Sequence, residues 1–264
     1  ITLKDGEKRQ LAMHHAFECM GEPLVRDFDA QMFSRYREKR LKGEYARSNR
    51  VKEVSPRTLN LELAYFRAVF NELNRLGEWK GENPLKNMRP FRTEEMEMAW
   101  LTHEQIAQLL GECKRHGHPD LEIVVRICLA TGARWSEAES LKKSQLAKYK
   151  ITYTNTKGRK NRTVPISKEL FDILPDDRKG RLFSECYGAF RSALERTGIE
   201  LPSGQLTHVL RHTFASHFMM NGGNILVLQR VLGHTDIKMT MRYAHFAPDH
   251  LEDAVKLNPL IAIK

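Results

Sequence analysis

The chain lacks the features by which membrane, secreted and many metal-dependent proteins are recognised. None of its apolar runs approaches the roughly 18 residues of a membrane span, its mean hydropathy is −0.52, and no secretory signal is visible. Its 4 cysteines are scattered without a C-x-x-C pair, which disfavours a zinc site or a disulfide framework and indicates reduced core thiols in a cytosolic protein. The sequence also contains no H-E-x-x-H motif, internal repeat or low-complexity tract.

Positive charge, in contrast, is abundant. The 264 residues suffice for one large domain or two small ones. A formal net charge of +10 and a pI of about 9.5 indicate a polyanionic partner. Residues 1–92 contain 19 lysines and arginines against 13 acidic residues, so the charge is denser in this N-terminal part. The chain begins at Ile1 rather than at a methionine, which is consistent with a piece of a longer protein.

The first 80 residues have the patterning of helices. One helix is predicted at 29–41, and another begins at Ser55-Pro56, where an N-cap precedes a proline at the first helical position, and ends near Gly77. The helix at 29–41 is predicted to turn three apolar side chains inward: Met32, Phe33 and Tyr36. Four basic residues of that helix are predicted to point largely outward, as a solvated face or as a face that contacts phosphates: Arg35, Arg37, Lys39 and Arg40.

A polar segment follows this helical part. Residues 81–97 contain two prolines and a mixed-charge run without a sustained apolar period, which predicts a linker. We therefore predict a helical domain at 1–90, a linker at 91–98 and a second domain at 99–264.

The second domain is predicted to be mostly helical. Thr102 and Gln105 have the spacing of a capping box, and an apolar helix at 121–130 ends at Thr131-Gly132. Alternating residues between 151 and 166 flank a polar turn and predict a β-hairpin. Further helices are predicted at about 168–173, 185–197, 207–221, 224–232, 236–244 and 248–256. The predicted fold class is thus mainly α with a small β-hairpin or sheet, in two domains.

Six polar residues occur in order along this second domain: Arg134, Lys157, His208, Arg211, His234 and Tyr243. Cations could clamp a phosphodiester while a phenol oxygen attacks phosphorus, a chemistry that needs no metal or cofactor. Taken one by one, each residue also has an ordinary interpretation. The arginines suit a surface, the helical histidines suit a structural pair, and the tyrosine suits a core anchor. Lys157 lies in a basic turn with Arg159, Lys160 and Arg162, which is predicted to be exposed, either as a solvated turn or as a turn that binds DNA.

The order and the local settings of these residues resemble the tyrosine recombinase (phage integrase) family, in particular the integrases of temperate phages of enteric bacteria. The resemblance rests on T-G-A-R-W-S-E, K-G-R-K-N-R-T-V-P, T-H-V-L-R-H-T-F-A-S-H-F-M-M-N-G-G, L-Q-R-V-L-G-H-T and M-R-Y-A-H-F-A-P. It extends over nearly the whole chain, and the motifs match best between residues 129 and 260.

The resemblance implies that Arg134 and Arg211 bind the non-bridging oxygens of the scissile phosphate and that His234 hydrogen-bonds the same phosphate. Glu137, three residues after Arg134, is predicted to hold that arginine in place. These residues would stabilise the charge of the transition state.

The resemblance also implies the covalent chemistry. Tyr243 would attack a DNA phosphate, giving a 3′-phosphotyrosine and a free 5′ hydroxyl. His208 would assist proton transfer at the tyrosine, and Lys157 would protonate the leaving 5′ oxygen. A 5′ hydroxyl from the partner duplex would then seal the exchanged strand, without ATP or a metal ion.

The family further implies an architecture and partners. A core-type DNA-binding domain and a catalytic domain would form a clamp around double-stranded attachment core sites in the host cytoplasm, at the nucleoid. Recombination implies a homo-tetramer on DNA, and DNA-bending accessory proteins could assist. An apolar tail is predicted to pack on a neighbouring subunit through Leu251, Val255, Leu257 and Leu260. Many members carry a further small N-terminal domain that binds arm-type sites, and we expect no such domain within this sequence.

Other functions remain open at this point. A resolvase of chromosome dimers and a type IB topoisomerase-like enzyme share the same chemistry. A DNA-binding regulator without strand transfer is the alternative from another class, although a pure binder has no need for Tyr243 and its five helpers. A metal-dependent nuclease would be distinguished by its sensitivity to chelators.

Overall fold

The computed structural model describes residues 5–46, 53–93, 97–154 and 161–248. The chain divides into two compact units, Ile1–Glu95 and Met96–Lys264. Among the described residues, no helix is long and apolar enough to cross a membrane.

The described part of the first unit contains three α-helices, α1 (Gly6–Cys19), α2 (Ala30–Leu41) and α3 (Pro56–Leu76). The predicted cap at Ser55 is confirmed, since its side chain accepts a hydrogen bond from Thr58 N. Asp29 caps α2 in the same way by accepting from Met32 N. Gly77 ends α3 in the left-handed conformation. The core contains Ala16, Phe28, Phe33, Tyr36, Leu59, Leu63, Phe70 and Leu85.

Two of the four basic residues on α2 are buried, which corrects the prediction that all four point largely outward. Arg40 is 2% exposed, and its guanidinium lies 3.4 Å from a carboxylate oxygen of Glu62 on α3. Arg37 is 7% exposed, stacks 4.4 Å from the ring centroid of Phe91 and donates to a backbone carbonyl. Arg35 and Lys39 are exposed as predicted.

The segment predicted as a linker is largely part of the first unit's core. Leu85 is fully buried, and Met88 and Phe91 pack against the same core. Arg67 Nε donates to Leu85 O over 2.8 Å. Asn60 both donates to Phe91 O and accepts from Phe91 N. The backbone of this segment is hydrogen-bonded by side chains of α3 and not by a regular helix or strand. An irregular backbone produces no apolar period in the sequence.

The second unit contains eight α-helices in its described part. Their bounds are α4 His103–His116, α5 Leu121–Thr131, α6 Trp135–Glu139, α7 Lys168–Asp172, α8 Tyr187–Thr197, α9 His208–Met220, α10 Ile225–Leu232 and α11 Lys238–Met241. Short 3₁₀ helices occur at Val25–Asp27 in the first unit and at Lys143–Gln145 and Ala244–Phe246 in the second. The predicted capping box at Thr102 is confirmed, and the helix predicted at 248–256 lies almost wholly outside the described residues.

The predicted hairpin is confirmed and belongs to a three-stranded antiparallel sheet. Its strands are β1 (Leu146–Ala147), β2 (Lys150–Tyr153) and β3 (Arg162–Pro165), in that order. Tyr153 pairs with Arg162 at the end of the hairpin that leads into the turn. The short first strand was not predicted, because two residues show no alternation.

Helix α5 lies at the centre of the second unit's core, and its fully buried side chains include Val124, Val125, Ile127 and Cys128. A separate small cluster joins α9 and α10 to the segment after α11, and it includes Tyr243. The structure therefore places the tyrosine against the same helix that contains His208 and Arg211.

Candidate active site

Three chain corners meet at the site. Helix α5 ends at Gly132 and the chain turns into α6, helix α9 begins at His208, and helix α10 ends at Gly233 just before His234. Gly132 is left-handed with a φ of 62°, and an added Cβ would lie 2.6 Å from Phe214 Cδ1. Only a residue without a side chain fits this close approach between the α5 corner and α9.

Arg134 occupies the first corner as the residue before α6. Its guanidinium donates to Glu137 Oε1 over 3.0 Å, and its backbone N–H donates to Glu137 Oε2, also over 3.0 Å. One carboxylate thus fixes both ends of the arginine. This agrees with the predicted structural role of Glu137.

Arg211 is a buried residue of the site, with 5% of its surface exposed. Its Nη1 donates to Gly132 O and its Nη2 to Leu232 O, each over 2.7 Å. The arginine therefore ties the end of α5 to the end of α10. A guanidinium carries five N–H donors, so these two bonds do not exhaust its capacity to bind an anion.

His234 follows α10 and is held on both sides. Its Nδ1 lies 2.9 Å from the hydroxyl oxygen of Thr240, which is fully buried in α11, and its backbone N–H donates to Gln229 O. A hydroxyl on Nδ1 fixes the ring and leaves Nε2 for another partner. The role of Thr240 was not predicted from the sequence.

Tyr243 is 3% exposed and follows α11 directly. Its hydroxyl oxygen lies 2.7 Å from Nδ1 of His212. The predicted helper, His208, lies one helical turn earlier, with its ring centroid 6.3 Å from that of His212. The histidine that contacts the tyrosine is therefore four residues beyond the predicted one. The shared helix face was visible in the sequence, but the contact was not.

Arg162 is buried, which corrects the prediction that it belongs to an exposed DNA-binding turn. Its side chain is 6% exposed and forms a double hydrogen bond with Glu137, 2.5 Å from Nη2 to Oε2 and 3.2 Å from Nη1 to Oε1. It also donates to Val231 O and stacks 4.5 Å from the ring centroid of Tyr153. Arg162 thus braces β3, α6 and the end of α10 together.

The charges of the site act on one another. Burial, together with the positive charges of Arg134 and Arg162, lowers the pKa of Arg211 to about 10. Burial and the charges of Arg211 and Arg134 lower the pKa of His234 to about 4. Partial burial and the same two arginines lower the pKa of His208. An anion would offset the electrostatic repulsion among these positive groups, so the site is suited to bind a phosphodiester.

The structure therefore brings five of the six predicted residues together: Arg134, His208, Arg211, His234 and Tyr243. The predicted lysine of the site, Lys157, lies outside the described residues, as do Arg159 and Lys160. The described residues contain no group of three or more His, Cys, Asp or Glu side chains that could hold a metal ion.

Comparisons with known proteins agree with this fold. Residues 1–92 match the family model described as phage integrase, N-terminal domain, and residues 99–250 match the phage integrase family. The integrase of Escherichia phage 186 is 94% identical over 263 residues, which cover 100% of this chain and 78% of that protein.

Solved structures extend the comparison. The catalytic domain of bacteriophage HP1 integrase is 67% identical with a TM-score of 0.61, and the match covers 62% of this chain and 98% of that one. A lambda integrase dimer bound to a COC′ core site shares the fold at 15% identity, with a TM-score of 0.73 and coverage of 92% and 89%.

The fold and the site are thus those of a DNA strand-transfer enzyme whose active site contains a buried tyrosine. The chain belongs to the phage integrase family, whose members are tyrosine-type site-specific recombinases that cleave and rejoin DNA strands. The resemblance predicted from the motifs, including that to integrases of enteric phages, is confirmed.

Proposed function

We propose that this protein integrates and excises phage DNA through a 3′-phosphotyrosine intermediate in which Tyr243 is the nucleophile. The single observation that carries the proposal is the position of the Tyr243 phenol, buried beside α9, within hydrogen-bond distance of His212 and under the influence of the positive charges of Arg211 and Arg242. Burial raises the pKa of this phenol, while the positive charges of Arg211 and Arg242 lower it. The phenol is therefore protonated before DNA binds, and its attack requires both a phosphate and a proton acceptor.

The two arginines are proposed to bind the non-bridging phosphate oxygens. Arg134 is held by Glu137 and Arg211 by two backbone carbonyls, so both guanidiniums are fixed before DNA binds. Prior fixation matters because donors that need no rearrangement stabilise the phosphorane most effectively. With the Thr240 hydroxyl donating to Nδ1, His234 would carry its proton on Nε2 and donate it to the same phosphate.

Lys157 is proposed as the general acid that protonates the leaving 5′ oxygen, and His208 is proposed to assist proton transfer at the tyrosine. Their roles rest on the family resemblance. The phosphotyrosine bond preserves the energy of the cleaved phosphodiester, so the return attack by a 5′ hydroxyl requires neither ATP nor a metal.

The first unit is proposed to grip the attachment core site, with exposed Arg35 and Lys39 among its phosphate contacts. Affinity dominated by such contacts falls steeply with salt. The active assembly is proposed to be a homo-tetramer on two duplexes in the host cytoplasm, at the nucleoid. Its tail would pack on a neighbour, and DNA-bending proteins could assist.

The proposal is tested by single-turnover cleavage of a nicked attachment-site duplex in EDTA with Arg134→Ala. Loss of one preorganised donor typically costs roughly 10²–10³ in rate, and we expect a loss of at least that size. The matched control is Arg191→Ala, which removes an arginine whose side chain is 56% exposed on α8 and should leave the rate unchanged. A normal rate for Arg134→Ala would contradict the assignment, and salt-sensitive binding without any cleavage by the wild type would favour the regulator.

A further inference from the structure

The contact between His212 and Tyr243 joins the proposed nucleophile to a histidine that has no assigned role. The 2.7 Å distance from Nδ1 to the phenol oxygen is that of a strong hydrogen bond. The two ring centroids lie 6.0 Å apart with the planes tilted by 42°. His212 is half-buried on α9, and Tyr243 is held by a backbone hydrogen bond from its own N–H to Thr240 O.

The direction of this hydrogen bond follows from the charges around it. His208 and Arg211 flank His212 on α9, Arg242 and Tyr243 face it from the segment after α11, and His234 approaches from the α10–α11 loop. Burial, with the influence of His208, Arg242 and Arg211, lowers the pKa of His212 to about 4. The imidazole is therefore neutral near pH 7. Because the phenol is neutral as well, its O–H donates to Nδ1, and the ring proton lies on Nε2.

We propose that His212 is a catalytic residue that accepts the phenol proton from Tyr243 during strand cleavage. This inference rests on the proposed function and deepens it. As the Tyr243 oxygen forms its bond to phosphorus, its proton passes to Nδ1 of His212, and the bond from phosphorus to the 5′ oxygen breaks. The leaving oxygen takes a proton from the general acid. In the return step His212 gives its proton back to the phenolate of the departing tyrosine.

The bound phosphate explains why the proton moves only when DNA is present. Without DNA, the cations around His212 oppose a further positive charge on its ring. A phosphodiester between Arg134 and Arg211 brings a negative charge that offsets this opposition. The phenol also becomes more acidic as its oxygen begins to bond to phosphorus. Burial thus keeps the phenol neutral off DNA, and the cations keep His212 from taking its proton until a phosphate is bound.

Replacement of His212 by asparagine separates proton acceptance from positioning. The Asn oxygen lies near the place of Nδ1, so His212→Asn can still accept the phenol hydrogen bond but cannot hold a proton at neutral pH. The matched control is His217→Asn on the same helix, where the ring hydrogen-bonds Leu101 O outside the site. Each variant is assayed for DNA binding, for thermal unfolding and for formation of the covalent adduct on a nicked attachment-site duplex.

For a general base we expect His212→Asn to bind DNA normally and to form the adduct roughly 10²–10⁴-fold more slowly. Its rate should climb with pH above neutrality, since Tyr243 must then ionise unaided. Replacement of Tyr243 by 3,5-difluorotyrosine, whose phenol is more acidic, should restore much of the lost rate in the variant and little in the wild type. His217→Asn should form the adduct at the wild-type rate.

Two results would overturn the inference while leaving the proposed function intact. The first is a His212→Asn variant that forms the adduct at the wild-type rate. The second is a slow variant that the fluorinated tyrosine does not rescue, which would identify His212 as a positioning residue only. If the wild type itself formed no adduct, the proposed function and this inference would fall together.

Discussion

Replacement of Arg162 by methionine should destabilise the catalytic unit severely. The guanidinium gives Glu137 two hydrogen bonds, and the side chains of the pair are only 6% and 13% exposed. Methionine fills much of the same volume, but it leaves the carboxylate with Arg134 as its remaining ion-pair partner among the described residues. Removal of one partner from a buried ion pair costs about 3–5 kcal/mol.

The pKa of Glu137 shows how strongly Arg162 and Arg134 together stabilise its charged form. Burial alone would raise this pKa, but the hydrogen bonds and charges of Arg162 and Arg134 outweigh it and lower the pKa to about 2. A depression of that size from the usual value of a glutamate corresponds to roughly 3 kcal/mol. Because the folded pKa lies below the unfolded one, this stabilisation is present above about pH 4.5 and is lost as the pH falls towards 2.

The assay is urea unfolding of the wild type and of Arg162→Met at pH 7 and at pH 3. The difference between the two proteins should be about 3–5 kcal/mol at pH 7 and clearly smaller at pH 3. The control is Arg191→Met, which breaks an exposed pair with Glu195 and should cost at most about 1 kcal/mol. A cost below about 1 kcal/mol for Arg162→Met at pH 7, or the same cost at both pH values, would show that the buried pair with Glu137 does not stabilise the fold.

Two further substitutions test how the site is built. Gly132→Ala should destabilise the catalytic unit by about 1–3 kcal/mol in urea unfolding, because a Cβ there would lie 2.6 Å from Phe214 Cδ1 and the backbone φ is 62°. Thr240→Val should slow adduct formation about tenfold through loss of one hydrogen bond to His234, while DNA binding is retained.

Each of these two predictions has its own contrary outcome. For the glycine, the control is Gly117→Ala, where an added Cβ meets open space at a similar φ. Equal costs at the two glycines would show that backbone strain alone decides the effect. For the threonine, an unchanged rate of adduct formation would show that the hydroxyl does not orient the histidine ring.

Local features of the fold could be predicted from the sequence because their causes are local. Ser55 and Thr102 cap helices through backbone groups only three residues away. Gly132 ends α5 because it adopts a left-handed conformation that other residues resist. The hairpin was visible because its residues alternate between buried and exposed positions.

The burial of three arginines could not be predicted in this way. Arg40 and Arg162 are buried because carboxylates 22 and 25 residues distant meet them in the folded chain. Arg37 is buried against Phe91, in a segment that has no helical or strand periodicity. A basic residue on a helix face or beside a turn is indistinguishable from a surface residue until its distant partner is known.

In the candidate site, too, the residues could be predicted from the sequence but their contacts could not. Its residues could be found because the family resemblance places Arg134, Arg211, His234 and Tyr243 in order. Which histidine reaches the phenol was not predictable, because His208 and His212 share one face of α9. The packing of the segment after α11 decides between them, and it brings Tyr243 to His212.

The most direct test of the central claim is to identify the amino acid that becomes linked to DNA. The wild type and Tyr243→Phe are mixed with a nicked attachment-site duplex in EDTA, denatured, digested, and mapped by tandem mass spectrometry. We expect a 3′-phosphate on Tyr243 in the wild type and no adduct in the variant. An adduct on any other residue, or one that persists in Tyr243→Phe, would contradict this claim.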